Sequence, residues 1–358
     1  MPKPAVLFGG PSPEHDVSVL TGLQAARALG DATCVYWSKD GRFWEVDAGL
    51  EAPDFADGVP RKAALLRLQA GEGLLGRRRP LDLSAVVNCC HGGPGEDGSV
   101  QAALDLAGVA YTGPGVAGAA LGMDKLAFGS VVAAAGLPGL PRLPLAPSTT
   151  VPWDGPCIVK PRFGGSSIGI QVVRDAATAT ALLGASPHLR AGAVVEPYRP
   201  DAYDLNVAVR SWPELSLSNI ERPLRAGGGD ILGYGDKYLG GEGMASAPRE
   251  LPAAIPGPAA ERLRDMARAV AALVGLRGVA RIDFLAAGEE AEELYVNEIN
   301  TIPGSLARYL WVDPAVPFRR LLDDLLEEAV RRPSFAWSTQ GADGTALRAA
   351  GSIAGKLA

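Results

Sequence analysis

Apolar residues in this chain come in short runs separated by glycine- and proline-rich turns, which predicts many short strands interleaved with helices. The spacing predicts strands over 5–8, 33–37, 85–89, 157–161, 170–173 and 193–196. Helices are expected from about 16–18 to 29, where Val19, Leu20, Leu23, Ala26 and Leu29 make an apolar stripe, and over 63–70, 100–107, 259–274 and 318–331. Another opens at Met123-Asp124-Lys125-Leu126 and ends at Gly136, and one more lies between 173 and 193. The opening order of strand, Gly9-Gly10 turn, helix and strand predicts a parallel, doubly wound sheet. Proline-rich 137–152 reads as a connector, and the tail from Pro333 has no predicted place.

Near the C-terminal third, Gly278-Val279-Ala280 leads into Arg281-Ile282-Asp283-Phe284, and Leu294-Tyr295-Val296 leads into Asn297-Glu298-Ile299-Asn300. Two strands joined through the acidic turn 288–293 are predicted. Side chains alternate along a strand, so Arg281 shares a face with Asp283, and Glu298 with Asn300. In the right register, one cation and three oxygen ligands converge. Such oxygens suit Mg²⁺ held with substrate phosphates, and an arginine fork suits a phosphoryl oxygen. A hairpin with a polar outer face is the plainer alternative.

The 358 residues have room for two or three cores, and the 47% hydrophobic and 21% charged fractions are those of an ordinary globular protein. The net charge of −6 recommends neither a nucleic acid nor an anionic membrane as partner. Cys34, Cys89, Cys90 and Cys157 show no zinc-ligand spacing with His15, His91 and His188, and read as reduced, buried thiols. No apolar run approaches the ~20 residues of a membrane span. A soluble, cytoplasmic protein is expected.

Lys160 ends a strand just before Arg162-Phe163-Gly164-Gly165-Ser166-Ser167-Ile168-Gly169. Glycines let backbone approach a phosphate, and amides and serine hydroxyls donate to it. The Gly-Lys-Ser/Thr ending of a Walker loop is absent. Lys125 is a second candidate phosphate ligand, while Glu196 and Asp204 are candidate acceptors for adenine and ribose. Glu14 precedes a helix start, where it either caps the helix or holds a substrate ammonium. His91 ends a strand, a usual place for ligand contacts in open α/β sheets, and reads equally as a structural histidine.

These segments together resemble the ATP-grasp superfamily and, within it, the D-alanine–D-alanine ligase family. The matching elements are Gly9-Gly10 with Glu14-His15-Asp16-Val17-Ser18; His91-Gly92 with Gly95-Glu96-Asp97-Gly98; Tyr111-Thr112-Gly113; and Met123-Asp124-Lys125. Then come Ile158-Val159-Lys160-Pro161, Gly165-Ser166-Ser167-Ile168-Gly169, Asp236-Lys237-Tyr238, Arg281-Ile282-Asp283 and Asn297-Glu298-Ile299-Asn300-Thr301-Ile302-Pro303-Gly304. They follow the family order over about residues 5 to 330.

The resemblance implies an α/β fold, α+β in parts, of three domains. These are a parallel doubly wound sheet in 1–119, a small α+β unit in 120–198, and a mostly antiparallel sheet in 199–358. It implies that Lys125, Lys160, Ser167, Glu196, Asp204 and Lys237 bind ATP. Asp283, Glu298 and Asn300 would ligate two Mg²⁺ ions, with Mn²⁺ able to stand in. Glu14 would bind the ammonium of a first D-alanine with His91 nearby, and Ser166 and Tyr238 would join Glu14 in closing a loop. Arg281 and the Gly304 amide would stabilise an oxyanion.

The glycine-laden stretch carrying Tyr238 has a lid's composition, and Tyr238 favours D-alanine over D-lactate as acceptor. The resemblance also implies a homodimer acting on ATP and D-alanine. One departure stands out. Ser305-Leu306 follows Gly304 at once, where family members carry a longer segment before the serine that binds the second substrate's carboxylate. Another carboxylate–amine ligase with a different acceptor, and a nucleotide-binding regulator without turnover, are the competing readings.

Overall fold

The computed structural model describes residues 2–77, 79–224, 248–334 and 338–357; the expected contributions of Lys237 and Tyr238 lie outside these described residues. The first sheet comprises β1 (Lys3–Gly9), β2 (Thr33–Trp37), β3 (Phe43–Val46), β4 (Ala64–Gln69), β5 (Gly73–Leu75) and β6 (Leu83–Asn88), in the order β5-β4-β3-β2-β1-β6. Strand β1 pairs in parallel with both β2 and β6, but β3, β4 and β5 join antiparallel. The expectation of a parallel sheet therefore holds only for β2, β1 and β6. The turns leading into β3 and β5 are too short for the crossover that a parallel return needs.

Residues 64–69, expected as helix, are strand β4. Leu66 is buried between exposed Leu65 and Arg67, which is the two-residue period of a sheet, and neighbours on both sides satisfy the backbone. Both faces of β1 are covered, which is why its sequence reads as one apolar run. Val6 and Phe8 pack with helix α1 (His15–Leu29), while Ala5 and Leu7 pack with Val100 and Leu104 of α2 (Ser99–Ala107).

Helix α3 (Val116–Met123) escaped prediction because its small residues form no apolar stripe. Asp124 then caps α4 (Lys125–Ala134), its carboxylate accepting from the Leu126 and Ala127 amides. The second sheet holds β7 (Leu143–Pro144), β8 (Cys157–Pro161), β9 (Gln171–Val173) and β10 (Ala193–Pro197), antiparallel throughout, with α5 (Ala176–Ala185) completing a small core of its own.

The third sheet contains β11 (Tyr203–Arg210) and β12 (Ser216–Leu217), with the short pair β13 (Arg222–Pro223) and β14 (Arg249–Glu250) beside it. After α6 (Gly257–Leu273), strands β15 (Val279–Ala287) and β16 (Glu293–Asn300) form the expected hairpin, in the order β12-β11-β15-β16. Leu263, Ala267 and Val270 of α6 bury one face of this sheet against Leu205, Val207, Ile282 and Phe284. The opposite face carries the polar residues of the hairpin. A last long helix, α7 (Phe318–Arg331), returns to the first sheet, with Leu321, Leu322 and Leu325 joining Val6 and Phe8 in one core. Among the described residues no helix is long and apolar enough to cross a membrane.

Candidate active site

Helix α1 starts at the end of β1 and is stitched there. The Gly9 amide donates to Ser18 Oγ (2.7 Å), and that hydroxyl donates to the Cys89 carbonyl (2.8 Å). His15 Nδ1 donates to the Gly10 carbonyl (2.7 Å). This stitching fixes Glu14 at the helix N-cap, yet its side chain makes no capping hydrogen bond. The carboxylate instead lines a cleft and accepts from Ser166 Oγ. The loop backbone approaches it closely: a Cβ at Gly165 would stand 2.8 Å from a Glu14 oxygen, so a larger residue there would push the carboxylate aside.

Across the cleft, the hairpin register opposes Arg281 to Asn300 and Asp283 to Glu298, which puts all four on one face. Asp283 accepts a two-pronged bond from Arg281, Nε to Oδ1 at 2.6 Å and Nη2 to Oδ2 at 2.7 Å, and a third bond from Asn300 Nδ2 at 2.9 Å. Lys125 is 7% exposed, and its ammonium lies 3.0 Å from Glu298 Oε2 and 2.8 Å from the Gly164 carbonyl. The first residue of α4 thus ties the hairpin to the glycine–serine loop. Two loop serines, Ser166 (φ 51°) and Ser167 (φ 60°), are left-handed, a strained backbone for non-glycine residues.

The cleft is lined by Glu14, His91, Lys125, Ser166, Arg281, Glu298, Asn300 and Gly304 among the residues singled out from sequence. Ser167 lines an adjoining recess with Lys125 and Glu298. Asp283 lies behind the lining, holding Arg281. Lys160 and Glu196 sit deeper: the Lys160 ammonium bonds Glu196 Oε2 (2.9 Å) and Asn297 Oδ1 (3.1 Å). Glu196, 1% exposed, also accepts from Arg142 Nε (2.5 Å). Burial alone would raise its pKa, but the two cations overcome that and hold it below the ordinary range. Asp204 stands on the polar face of β11, two residues before Asn206, which opposes Asp283.

His91 is 3% exposed and has both nitrogens in use: Nδ1 with the Ile302 carbonyl (2.7 Å) and Nε2 with Thr21 Oγ1 (2.8 Å). Burial, helped by the Arg281 charge, pushes its pKa down to about 4, so the ring is neutral. Ser305 does not line the cleft; its amide donates to Thr21 Oγ1 (3.1 Å).

Four residues here went unremarked or were given no role in the sequence. Thr21 and Arg142 carry no local signal, one lying in a helix stripe and the other in the connector. Glu96 lies inside a quoted motif, and Asn297 inside another. Glu96 accepts from the Gly92 amide (3.1 Å) and the Ile302 amide (2.9 Å), joining first sheet to third.

Among the described residues no group of three His, Cys, Asp or Glu side chains is arranged to hold a metal. The oxygen donors present are the Asp283 and Glu298 carboxylates and the Asn300 amide. Of these, Glu298 and Asn300 line the cleft while Asp283 stands behind them on Arg281, and hard oxygens few in number fit Mg²⁺ that shares its coordination with substrate phosphates.

Three sheets meeting at a cleft of lysines, arginine and carboxylates define a fold of the ATP-grasp type. The structure is similar to that of a D-alanine–D-alanine ligase from Coxiella burnetii, with a TM-score of 0.77 and 22% identity, covering 98% of this chain and 99% of that one. Family models described as D-ala D-ala ligase N-terminus and C-terminus match residues 3–114 and 150–327. D-alanine–D-alanine ligases of Bradyrhizobium sp. (strain ORS 278) and Methylobacterium sp. (strain 4-46) are 31% and 33% identical; they cover 92% and 94% of this chain, which spans 95% and 93% of theirs. The chain belongs to the D-alanine–D-alanine ligase family.

Proposed function

We propose that this chain joins two D-alanines into D-alanyl-D-alanine at the expense of ATP, supplying a peptidoglycan precursor in the cytoplasm. The observation that carries the reading is the hairpin register. It gathers Arg281, Asp283, Glu298 and Asn300 on one face, with Lys125 at Glu298 and Glu14 across the cleft.

A carboxylate is a poor electrophile, so its oxygen first attacks the γ-phosphorus of ATP, giving an acyl phosphate and ADP. Phosphoryl transfer is mostly positioning and charge neutralisation. Glu14 holds the ammonium of the first D-alanine, and its bond to Ser166 draws the glycine–serine loop over the site. Lys125 and Lys160 supply positive charge to the phosphates, with Lys237 in the same role and Tyr238 closing with Ser166. Asp283, Glu298 and Asn300 hold two Mg²⁺ ions, with Mn²⁺ as an alternative, which supply charge neutralisation when bound.

The second amine then attacks the acyl carbon and phosphate leaves. Arg281 has N–H donors beyond those given to Asp283 and Tyr309, and with the Gly304 amide it faces the developing oxyanion. Water is excluded because it would hydrolyse the acyl phosphate. Glu196 and Asp204 are assigned to adenine and ribose, and Glu196 also orients Lys160 toward the phosphates. The division at 1–119, 120–198 and 199–358 and a homodimeric state belong to the same reading.

A different amine acceptor is the second reading, favoured by the short segment after Gly304 and by Ser305 lying outside the cleft lining. Purified protein given Mg-ATP and a panel of D- and L-amino acids decides between them, with phosphate release and product masses measured together. D-alanine should give phosphate and D-alanyl-D-alanine in equal amounts. Phosphate without that dipeptide rejects the leading reading, and a mixed dipeptide establishes the second.

A further inference from the structure

Ser305 (φ 51°), Leu306 (φ 49°) and Ala307 (φ 51°) form three consecutive left-handed residues, none of them glycine. L-residues adopt this conformation rarely and as single residues, so such a run persists only where its surroundings over-determine it. Burial supplies part of the constraint, since Leu306 and Ala307 sit in the core shared with α1 and α7.

A closed circuit of hydrogen bonds supplies the rest. A carbonyl only accepts, so His91 Nδ1 carries the proton donated to Ile302 O, and Nε2 is left as an acceptor. The Thr21 hydroxyl must then donate to Nε2, which leaves its oxygen to accept from the Ser305 amide. Ile302, His91, Thr21 and Ser305 thus clamp both ends of Pro303-Gly304. Thr21 is 1% exposed and lies seven residues after Glu14, two turns along the same helix. One rigid element therefore carries the donor-side carboxylate at its cap and the clamp two turns on.

We propose that Thr21 is a positioning residue for the acceptor half of the site: its hydroxyl locks the Gly304–Ser305 backbone at a fixed distance from Glu14. In this chain the clamp does the work that a longer segment does in family members. The proposal rests on the ligase reading above and on its assignment of the second amine to the region of Gly304 and Ser305.

Steady-state kinetics of Thr21→Val, which keeps the shape and removes the hydroxyl, test it. The KM for the second D-alanine should rise about tenfold, as expected for one lost hydrogen bond, with the KM for ATP and for the first D-alanine moved less than about twofold. Thr21→Ser, which keeps the hydroxyl, should bring the acceptor KM back to within about threefold of wild type. An unchanged acceptor KM in Thr21→Val, an equal rise in all three constants, or failure of serine to rescue overturns the proposal. Should the valine variant not fold, amide exchange in the wild-type protein decides: the Ser305 N–H should be protected, and free exchange there refutes the clamp. Wild-type protein that forms no dipeptide overturns the ligase reading itself. A wild type that forms it beside an unperturbed valine variant overturns the clamp alone.

Discussion

Glu96 and His91 are buried within the same junction, and their protons pull stability in opposite directions. Burial first, and the Glu14 charge second, push the Glu96 carboxyl from 4.5 up to about 7. Folded chain therefore holds that proton more tightly than unfolded chain, and the resulting stability is full below pH 4.5 and fades as pH rises through 7. His91 falls from 6.5 to about 4, so its contribution is present above pH 6.5 and fades as pH drops through 4. The two nearly cancel between about pH 4.5 and 6.5. Glu96→Gln leaves His91 alone, so its stability should climb by about 2–3 kcal/mol across that window. Denaturant midpoints at pH 4.5, 5.5 and 6.5 measure this, and a flat profile in the variant contradicts the assignment. At the hairpin, Glu298→Gln should cut turnover on the order of 10²-fold or more in a chain that still folds, because a charged oxygen donor is lost from the phosphate side. Full activity in that variant would falsify the metal role. Glu14, Lys125 and Arg281 could be picked out from residue type and motif. The partner of Glu96 could not, because its bond to Ile302 spans 206 positions and nothing in the local pattern encodes so distant a contact.

Elements meet here through irregularities rather than through regular faces. The register of β15 and β16 shifts between Asp283 and Phe284, opposite Glu298 and Val296, which leaves Asn297 as an extra residue. Its carbonyl accepts from Arg142 Nη2 (2.9 Å) and its side-chain oxygen from Lys160 (3.1 Å), so the bulge joins the third sheet to the second. Arg142 completes the joint, reaching the Lys125 carbonyl (2.6 Å) and Glu196. Arg142→Met should cost about 3 kcal/mol, the low end for breaking a buried pair because Lys160 still faces Glu196. A calorimetric melt measures it, and a loss well under 1 kcal/mol would show that the joint is not held this way. The two strands of this hairpin were readable because each begins in an apolar run that ends in charge. The bulge was not, since an inserted residue leaves the apolar pattern intact, and neither was the arginine in a proline-rich connector. Segment 64–69 misled for a related reason: alanine, leucine, arginine and glutamine favour a helix, and only the neighbouring strands turn them into β4.

Across the whole molecule, one core is built from both ends of the chain. The face of β1 bearing Val6 and Phe8 is covered by α1 together with α7 and the turn Gly304–Leu310, the last two from the far end of the chain. Helix α7 was legible as an amphipathic stripe, but a stripe does not name the surface that it covers. That core also takes in Ala208 of β11 and Val279 of β15, whereas the small core of the second sheet draws only on residues between 143 and 195. The first and third sheets should therefore unfold together, while the second opens at lower cost and is the piece able to close over ATP. Two measurements test this. Fragment 1–119 expressed alone should lack a cooperative melt and bind a hydrophobic dye, because its β1 face is stripped of α7. In the full chain, amides of β8 and β10 should exchange faster than those of β1 and β15, and a Mg-bound non-hydrolysable ATP analogue should slow them selectively. A fragment that melts cooperatively, or β8 amides as protected as those of β1 before nucleotide is added, would show instead that each sheet stands on its own and that closure is not carried by the second.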